Sequence, residues 1–298
     1  MRISYHLCDV FTARRFEGNP LAVIPHASGL SGEQMQRIAR EFNYSETTFV
    51  LPPEAGHTRR VRIFTPHDEL PFAGHPNIGT AFVLAAIGEL GPLEGPTSVV
   101  FEEGAGPVPV EIAVQEGRPT RCELAAPEAP SLGAPVEVAM VARAVSLPPG
   151  DVITDTHPPR AASVGLPFLF VELVSLDALA RAQVDAAGVR GLRAANAPLA
   201  ICLYVRDAAG ADLRVRVLIA EGGYEDPATG SASCALAGLL ASLDGTRDGE
   251  LRWHVRQGVE MGRPSDLYTR VVMRAGGVAS VHVAGESVIV GSGTLELG

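Results

Sequence analysis

At 298 residues the chain is long enough for two ordinary domains, each able to bury its own core. Hydrophobic residues make up 46% and charged residues only 19%, a globular balance, and no apolar run approaches the roughly 18 residues that a membrane helix needs. The formal net charge of -10 argues against general affinity for nucleic acid or anionic lipid, which demands clustered Lys and Arg, so any anion must be held locally.

The opening stretch "MRISYHLCDVFT" alternates like a strand and offers no apolar signal-peptide core, so a cytoplasmic location is expected. Short runs rich in Val, Ile and Leu follow, separated by Gly or Pro: "LAVIP", "TTFVL", "VRIFT", "PVEIAV", "AICLYV", "LRVRVLIA" and "VVMRA". These read as strands. Among them, Ser31 to Phe42 has helical periodicity and opens with the capping-box residues Ser31 and Gln34. Two further helices, "IGTAFVLAAIG" and "GSASCALAGLL", are apolar almost all round, as a buried helix is. The proline-rich "PEAPSLGAP", Pro127 to Pro135, is the expected linker, giving halves of residues 1–126 and 127–298. The C-terminal "SVIVGSGTLELG" reads as a late strand belonging to either half. The expected architecture is α+β, with two similar halves that each wrap strands around a central helix.

The halves share a motif. "HPNIGTA" at His75 to Ala81 aligns with "DPATGSA" at Asp226 to Ala232, 151 positions on, about half the chain. That offset points to duplication. Each copy reads as a helix start, with Pro at the first helical position and His75 or Asp226 capping just before it. A helix N-terminus carries unpaired N–H groups and partial positive charge, so each start is a candidate anion site, and the two are expected to face one cleft.

Chemistry needs side chains beside those starts. His75 and Asp226 are each either a structural hydrogen-bonding or capping group or a site residue, and Ser231 follows the second start. Glu46 in "FNYSETTFVL" reads locally as a solvated residue at a strand start, and Asn19 in "EGNP" either holds a loop or reaches the site. His67, Asp68 and Glu69 precede a turn and are expected to face water. The four cysteines, Cys8, Cys122, Cys202 and Cys234, are far apart in sequence, and the eight histidines form no HExxH spacing. With no Walker or GxGxxG pattern either, no metal and no nucleotide cofactor is expected.

"DVFTARRFEGNPLAVI", "NYSETTFV", "PFAGHPNIGTAFVL", "EDPATGSASCAL" and "QGVEMGRPS" run in order from Asp9 to Ser265. Together they resemble the phenazine-biosynthesis PhzF-like isomerases. The resemblance implies the diaminopimelate epimerase fold, two pseudo-symmetric halves with strand barrels around central helices and a site in a cleft. It implies a cofactor-independent isomerase moving a proton between carbons of a small cyclic amino or hydroxy carboxylic acid, and a homodimer. The family's acid/base glutamate maps onto Glu46, its polar site residues onto His75, Asp226 and Ser231, and its close backbone approaches onto Gly74 and Gly230. Asn77 departs from the pattern, where Thr is expected. The two-thiol pair of the true epimerases is missing: neither turn carries a cysteine, and Cys234 lies eight residues beyond Asp226. Another small acid as substrate, or a non-enzymatic acid-binding protein, are the alternative functions.

Overall fold

The computed structural model describes residues 1–208 and 210–297. The alternating and apolar runs form strands and the periodic runs form helices, in two compact units: Met1–Ala125 together with the chain from Ala284 onward, and Ala126–Val283.

In the first unit the order is β1 (Arg2–Val10), β2 (Asn19–Ile24), α1 (Gly32–Phe42), β3 (Glu46–Leu51), β4 (Arg59–Phe64), β5 (Glu69–Leu70), α2 (Gly74–Ala86), β6 (Thr97–Glu103), β7 (Gly106–Gln115) and β8 (Arg118–Ala125). The second runs β9 (Ser131–Pro135), α3 (Val138–Ala144), β10 (Val152–Ile153), β11 (Arg160–Ser163), β12 (Pro167–Leu173), α4 (Leu176–Arg181), α5 (Ala186–Ala194), β13 (Ala200–Ala208), β14 (Ala211–Ile219), β15 (Tyr224–Asp226), α6 (Gly230–Asp244), β16 (Gly249–Gln257) and β17 (Ser265–Arg274). The long β18 (Gly277–Glu296) begins in the second unit and ends in the first.

Pairing in the first unit runs β1 to β2 antiparallel, β2 to β3 parallel, β3 to β4 antiparallel, β4 to β6 parallel, then β6 to β7 and β7 to β8 antiparallel. With β18 paired to both β1 and β8, eight strands close into a barrel, which removes free sheet edges. The second unit repeats the pattern: β12 to β13 parallel, β13 to β14 antiparallel, β14 to β16 parallel, β16 to β17 antiparallel. In each half the helix after the shared motif is enclosed. Ile78 to Ala85 of α2 and Ala232 to Ala241 of α6 are buried without interruption, as their all-round apolar character requires.

Outer helices cover the opposite faces. Met35, Ile38 and Ala39 of α1 pack with Ile3, Ile24, Phe49 and Phe64, and α1 has the full capping box at Ser31 and Gln34. On β3, Phe49 joins that layer while Thr48 bonds the Thr80 hydroxyl of α2 at 2.8 Å, so the strand is buried on both faces. In the second unit α3, α4 and α5 cover β12 and β13 through Val141, Leu179, Leu192, Leu169, Val171 and Leu203.

Two sequence expectations change. Part of the expected linker is structured: Ser131–Pro135 is β9, paired to β11 with Ser131 opposite Ser163 and Pro135 opposite Arg160. And neither motif starts its helix at its proline. α2 starts one residue before His75, with Ala73 at the N-cap and no side-chain cap, while α6 starts four residues after Asp226, with Thr229 at the N-cap. No helix among the described residues is long and apolar enough to cross a membrane.

Candidate active site

In the first unit, Asn19 opens β2 and Glu46 opens β3, and the parallel register sets Leu21 opposite Glu46, so the two side chains start from neighbouring strand ends. Asn19 depends on Gly18, whose φ is +68° and where a Cβ would lie 2.3 Å from the Val10 carbonyl oxygen. Only glycine fits there. His75 comes from the second position of α2, which packs against β1, β2 and β3. Pro76 follows at the third position, where a missing N–H costs nothing because the first four have no partner within the helix.

These elements bring Asn19, Glu46 and His75 together. His75 Nε2 lies 3.4 Å from Glu46 Oε2, and His75 Nδ1 lies 3.5 Å from Asn19 Nδ2. The Ser45 hydroxyl donates to Asn19 Oδ1 at 3.1 Å. Asn19 is fully buried, the His75 side chain is 7% exposed and that of Glu46 17%. Burial drives the His75 pKa down to about 3, because the desolvated imidazolium is disfavoured. The ring is therefore neutral around pH 7, and Glu46 faces a neutral imidazole rather than a cation. A carboxylate set beside a neutral ring is placed to act as a proton acceptor.

In the second unit, Asp226 ends β15 opposite Val217 and its Oδ2 accepts from the Thr229 hydroxyl at 2.5 Å. Gln257 binds this turn from both sides: its Oε1 accepts the Thr229 N–H at 3.1 Å, and its Nε2 donates to the Asp226 carbonyl at 2.7 Å and to Thr229 Oγ1 at 3.0 Å. Ser265 Oγ donates to the Pro227 carbonyl at 3.1 Å. Gly258, with φ +75°, lies so close that a Cβ would meet the carbonyl oxygens of Arg263 at 2.4 Å and Pro227 at 2.5 Å. The motif "QGVEMGRPS" is thus a clamp on "EDPATG". Beyond the clamp, α6 begins with Gly230 and the half-buried Ser231, leaving first-turn N–H groups to meet an anion.

His67, Asp68 and Glu69 are exposed, and Glu69 pairs with Arg62 at 2.6 Å. All four cysteines are buried and form no disulfide; burial pushes the Cys122 thiol up to about 12 and raises those of Cys8 and Cys202. Among the described residues no group of three or more His, Cys, Asp or Glu is placed to hold a metal ion. Ser45 and Gln257 escaped sequence reasoning although both lie inside the quoted motifs. Their signal was adjacency to Glu46 and to Gly258, whose positive φ suits glycine.

A sequence profile described as "Phenazine biosynthesis-like protein" matches residues 8–293. A Mesorhizobium japonicum protein named as an uncharacterized isomerase is 38% identical over 301 residues, covering 98% of each chain. The trans-2,3-dihydro-3-hydroxyanthranilate isomerase of Pseudomonas fluorescens is 36% identical over 299 residues, covering 99% of each. Among solved structures, the phenazine biosynthesis protein of the PhzF family from Bacillus anthracis matches with a TM-score of 0.88 at 26% identity, over 100% of both chains. The class follows: an α+β isomerase with two barrel-and-helix halves. Within that class, the chain belongs to the phenazine biosynthesis-like, PhzF-type family.

Proposed function

We propose that this isomerase moves a proton between carbons of a small cyclic amino or hydroxy carboxylic acid of the dihydro-hydroxyanthranilate kind. The observation that carries the reading is the Glu46 carboxylate, 3.4 Å from a buried imidazole that burial keeps neutral. Glu46 removes a carbon-bound proton and returns it to another carbon. As the C–H bond breaks, its electron pair is delocalised toward the substrate's unsaturated system and is taken up again when the new C–H bond forms. His75 N–H holds the carboxylate in place. Asp226 orients an amino or hydroxyl substituent. Each helix start supplies backbone N–H groups suited to a carboxylate, Gly74 and His75 in the first unit and Gly230 and Ser231 in the second.

The substrate class is supported by the names of relatives at 36% identity over nearly the full chain. The test is Glu46→Gln with trans-2,3-dihydro-3-hydroxyanthranilate in deuterated water. Turnover and deuterium incorporation into product should both fall at least about 100-fold, the usual scale for losing a general base. Full turnover by the variant would refute the assignment. A cytoplasmic setting, in keeping with four cysteines that form no disulfide, and a homodimer complete the reading. Sedimentation at micromolar concentration should give twice the 31.2 kDa chain mass, and a monomer alone would overturn the dimer.

A further inference from the structure

A neutral imidazole carries one N–H, and which nitrogen carries it decides what Glu46 meets. We propose that Ser45 and Asn19 are positioning residues that fix this proton on Nε2 of His75, the nitrogen facing Glu46; this deepens, and rests on, the reading of Glu46 as the proton-transfer group.

Both edges of the ring require the same tautomer. At one edge the Asn19 amide nitrogen, a donor only, lies 3.5 Å from Nδ1, so Nδ1 must be bare and accept. At the other edge a carboxylate oxygen lies 3.4 Å from Nε2, so Nε2 must carry the hydrogen. The opposite tautomer sets donor against donor at Asn19 and lone pair against carboxylate at Glu46, both in a buried site where such clashes are not relieved by water. The amide's orientation is in turn held by Ser45, whose hydroxyl donates to Oδ1 at 3.1 Å and so turns the amide nitrogen toward the ring. Two consecutive residues therefore address opposite edges of one imidazole: Glu46 directly at Nε2, and Ser45 through Asn19 at Nδ1.

The chemical consequence concerns proton ownership. An N–H held on Nε2 by this relay orients the carboxylate and stays with the ring, whose low basicity leaves it no tendency to take a second proton from Glu46. The substrate's proton then resides on Glu46 until it is delivered. With a bare Nε2 in its place, a lone pair would face the carboxylate across the 3.4 Å gap, and the attraction of the N–H for it would be gone.

The experiment is a long-range 1H–15N spectrum of protein carrying 15N-labelled histidine, with His75→Gln identifying the His75 signals. The wild-type ring should show bare Nδ1 and protonated Nε2 throughout pH 5.5 to 8.5, chosen as about the range of an ordinary histidine titration. Asn19→Asp puts an acceptor of the same shape against Nδ1. With a carboxylate now at each edge, Nδ1 should change from bare to protonated while Nε2 keeps its hydrogen, with kcat falling about 10- to 100-fold and KM changing by less than about threefold, as for a group acting on the chemical step. Ser45→Ala, at a half-buried position and gentler on the fold, should give a mixture of tautomers, and Ser45→Thr should restore the single one. A wild-type ring protonated on Nδ1, or an unchanged tautomer in both Asn19→Asp and Ser45→Ala, would overturn the proposal. The spectra need no substrate. If they behave as expected while Glu46→Gln keeps full turnover, the failure lies with the role of Glu46 and the proton placement stands.

Discussion

Glu103 offers a sharp test of the electrostatics of the first barrel. It ends β6 with both carboxyl oxygens buried, and it lines a cavity of about 560 Å³ that none of Asn19, Glu46 and His75 reaches. Burial raises its pKa to about 8, with the Asn77 amide beside it pulling the other way. The charged neighbours around that cavity are already engaged: Arg60 with Glu54, Arg62 with Glu69 at 2.6 Å, and Glu102 with the N–H groups of Glu54, Ala55 and His57. The native chain therefore binds a proton between pH 4.5 and about 8 that the unfolded chain has released, and its stability falls as pH rises through this window. From the two pKa values the loss between pH 5 and pH 9 is about 4 kcal/mol, at 1.36 kcal/mol per pH unit across most of the interval. Glu103→Gln has no such proton to lose. Urea denaturation at pH 5, 7 and 9 should show wild type and variant diverging in the variant's favour as pH rises. Parallel stability curves for the two proteins would refute the buried, neutral carboxyl.

The opposite sign holds at His75, whose pKa of about 3 lies below the ordinary 6.5. Stability should be complete above pH 6.5 and drop as pH falls toward 3, by about 2.7 kcal/mol at pH 4.5, and His75→Gln should flatten this acid limb in denaturation curves. Gln257→Ala removes three hydrogen bonds from the turn that leads into α6 and strands the Thr229 N–H. A loss of about 1–3 kcal/mol is expected by urea denaturation, with weaker binding of a substrate-like carboxylate by calorimetry; an unchanged midpoint would show that Gln257 does not hold the turn.

The strands named from sequence, such as β2, β3, β13 and β14, were legible because each holds a short branched-aliphatic run, and α1 because its cap uses only local residues, Ser31 and Gln34. Among the regular pieces that escaped are several whose stability comes from elsewhere in the chain. α3, α4 and α5 have 7, 6 and 9 residues, too short to hold a helix without the β12–β13 face they cover. β9 reads as a linker because it lies in the proline-rich run Pro127 to Pro135, yet a strand paired by β11 tolerates proline at its end, where no ladder N–H is needed. Of the first-unit candidates, Asn19, Glu46 and His75 could each be named from a motif. Their meeting depends on the parallel β2–β3 register and on the packing of α2, which no window of sequence contains.

The helix starts show the same limit and explain a difference between the duplicated motifs. Proline at the first helical position is a local preference worth little against a network of tertiary hydrogen bonds. In the second copy Gln257, 31 residues beyond Asp226, holds Asp226 to Thr229 in a turn and delays the helix to Gly230. In the first copy the helix begins at Gly74 with no side-chain cap. The shared Gly and hydroxyl residue consequently fall at different depths. Gly79 and Thr80 lie inside α2, with the Thr80 hydroxyl used up on Thr48, whereas Gly230 and Ser231 form the first turn of α6. By the same shift His75 becomes a helix residue turned to Glu46, while its counterpart Asp226 remains at a strand end beside Thr229. A repeated sequence thus yields two unlike sets of groups, an imidazole beside a carboxylate in one half and a clamped carboxylate ahead of a helix start in the other.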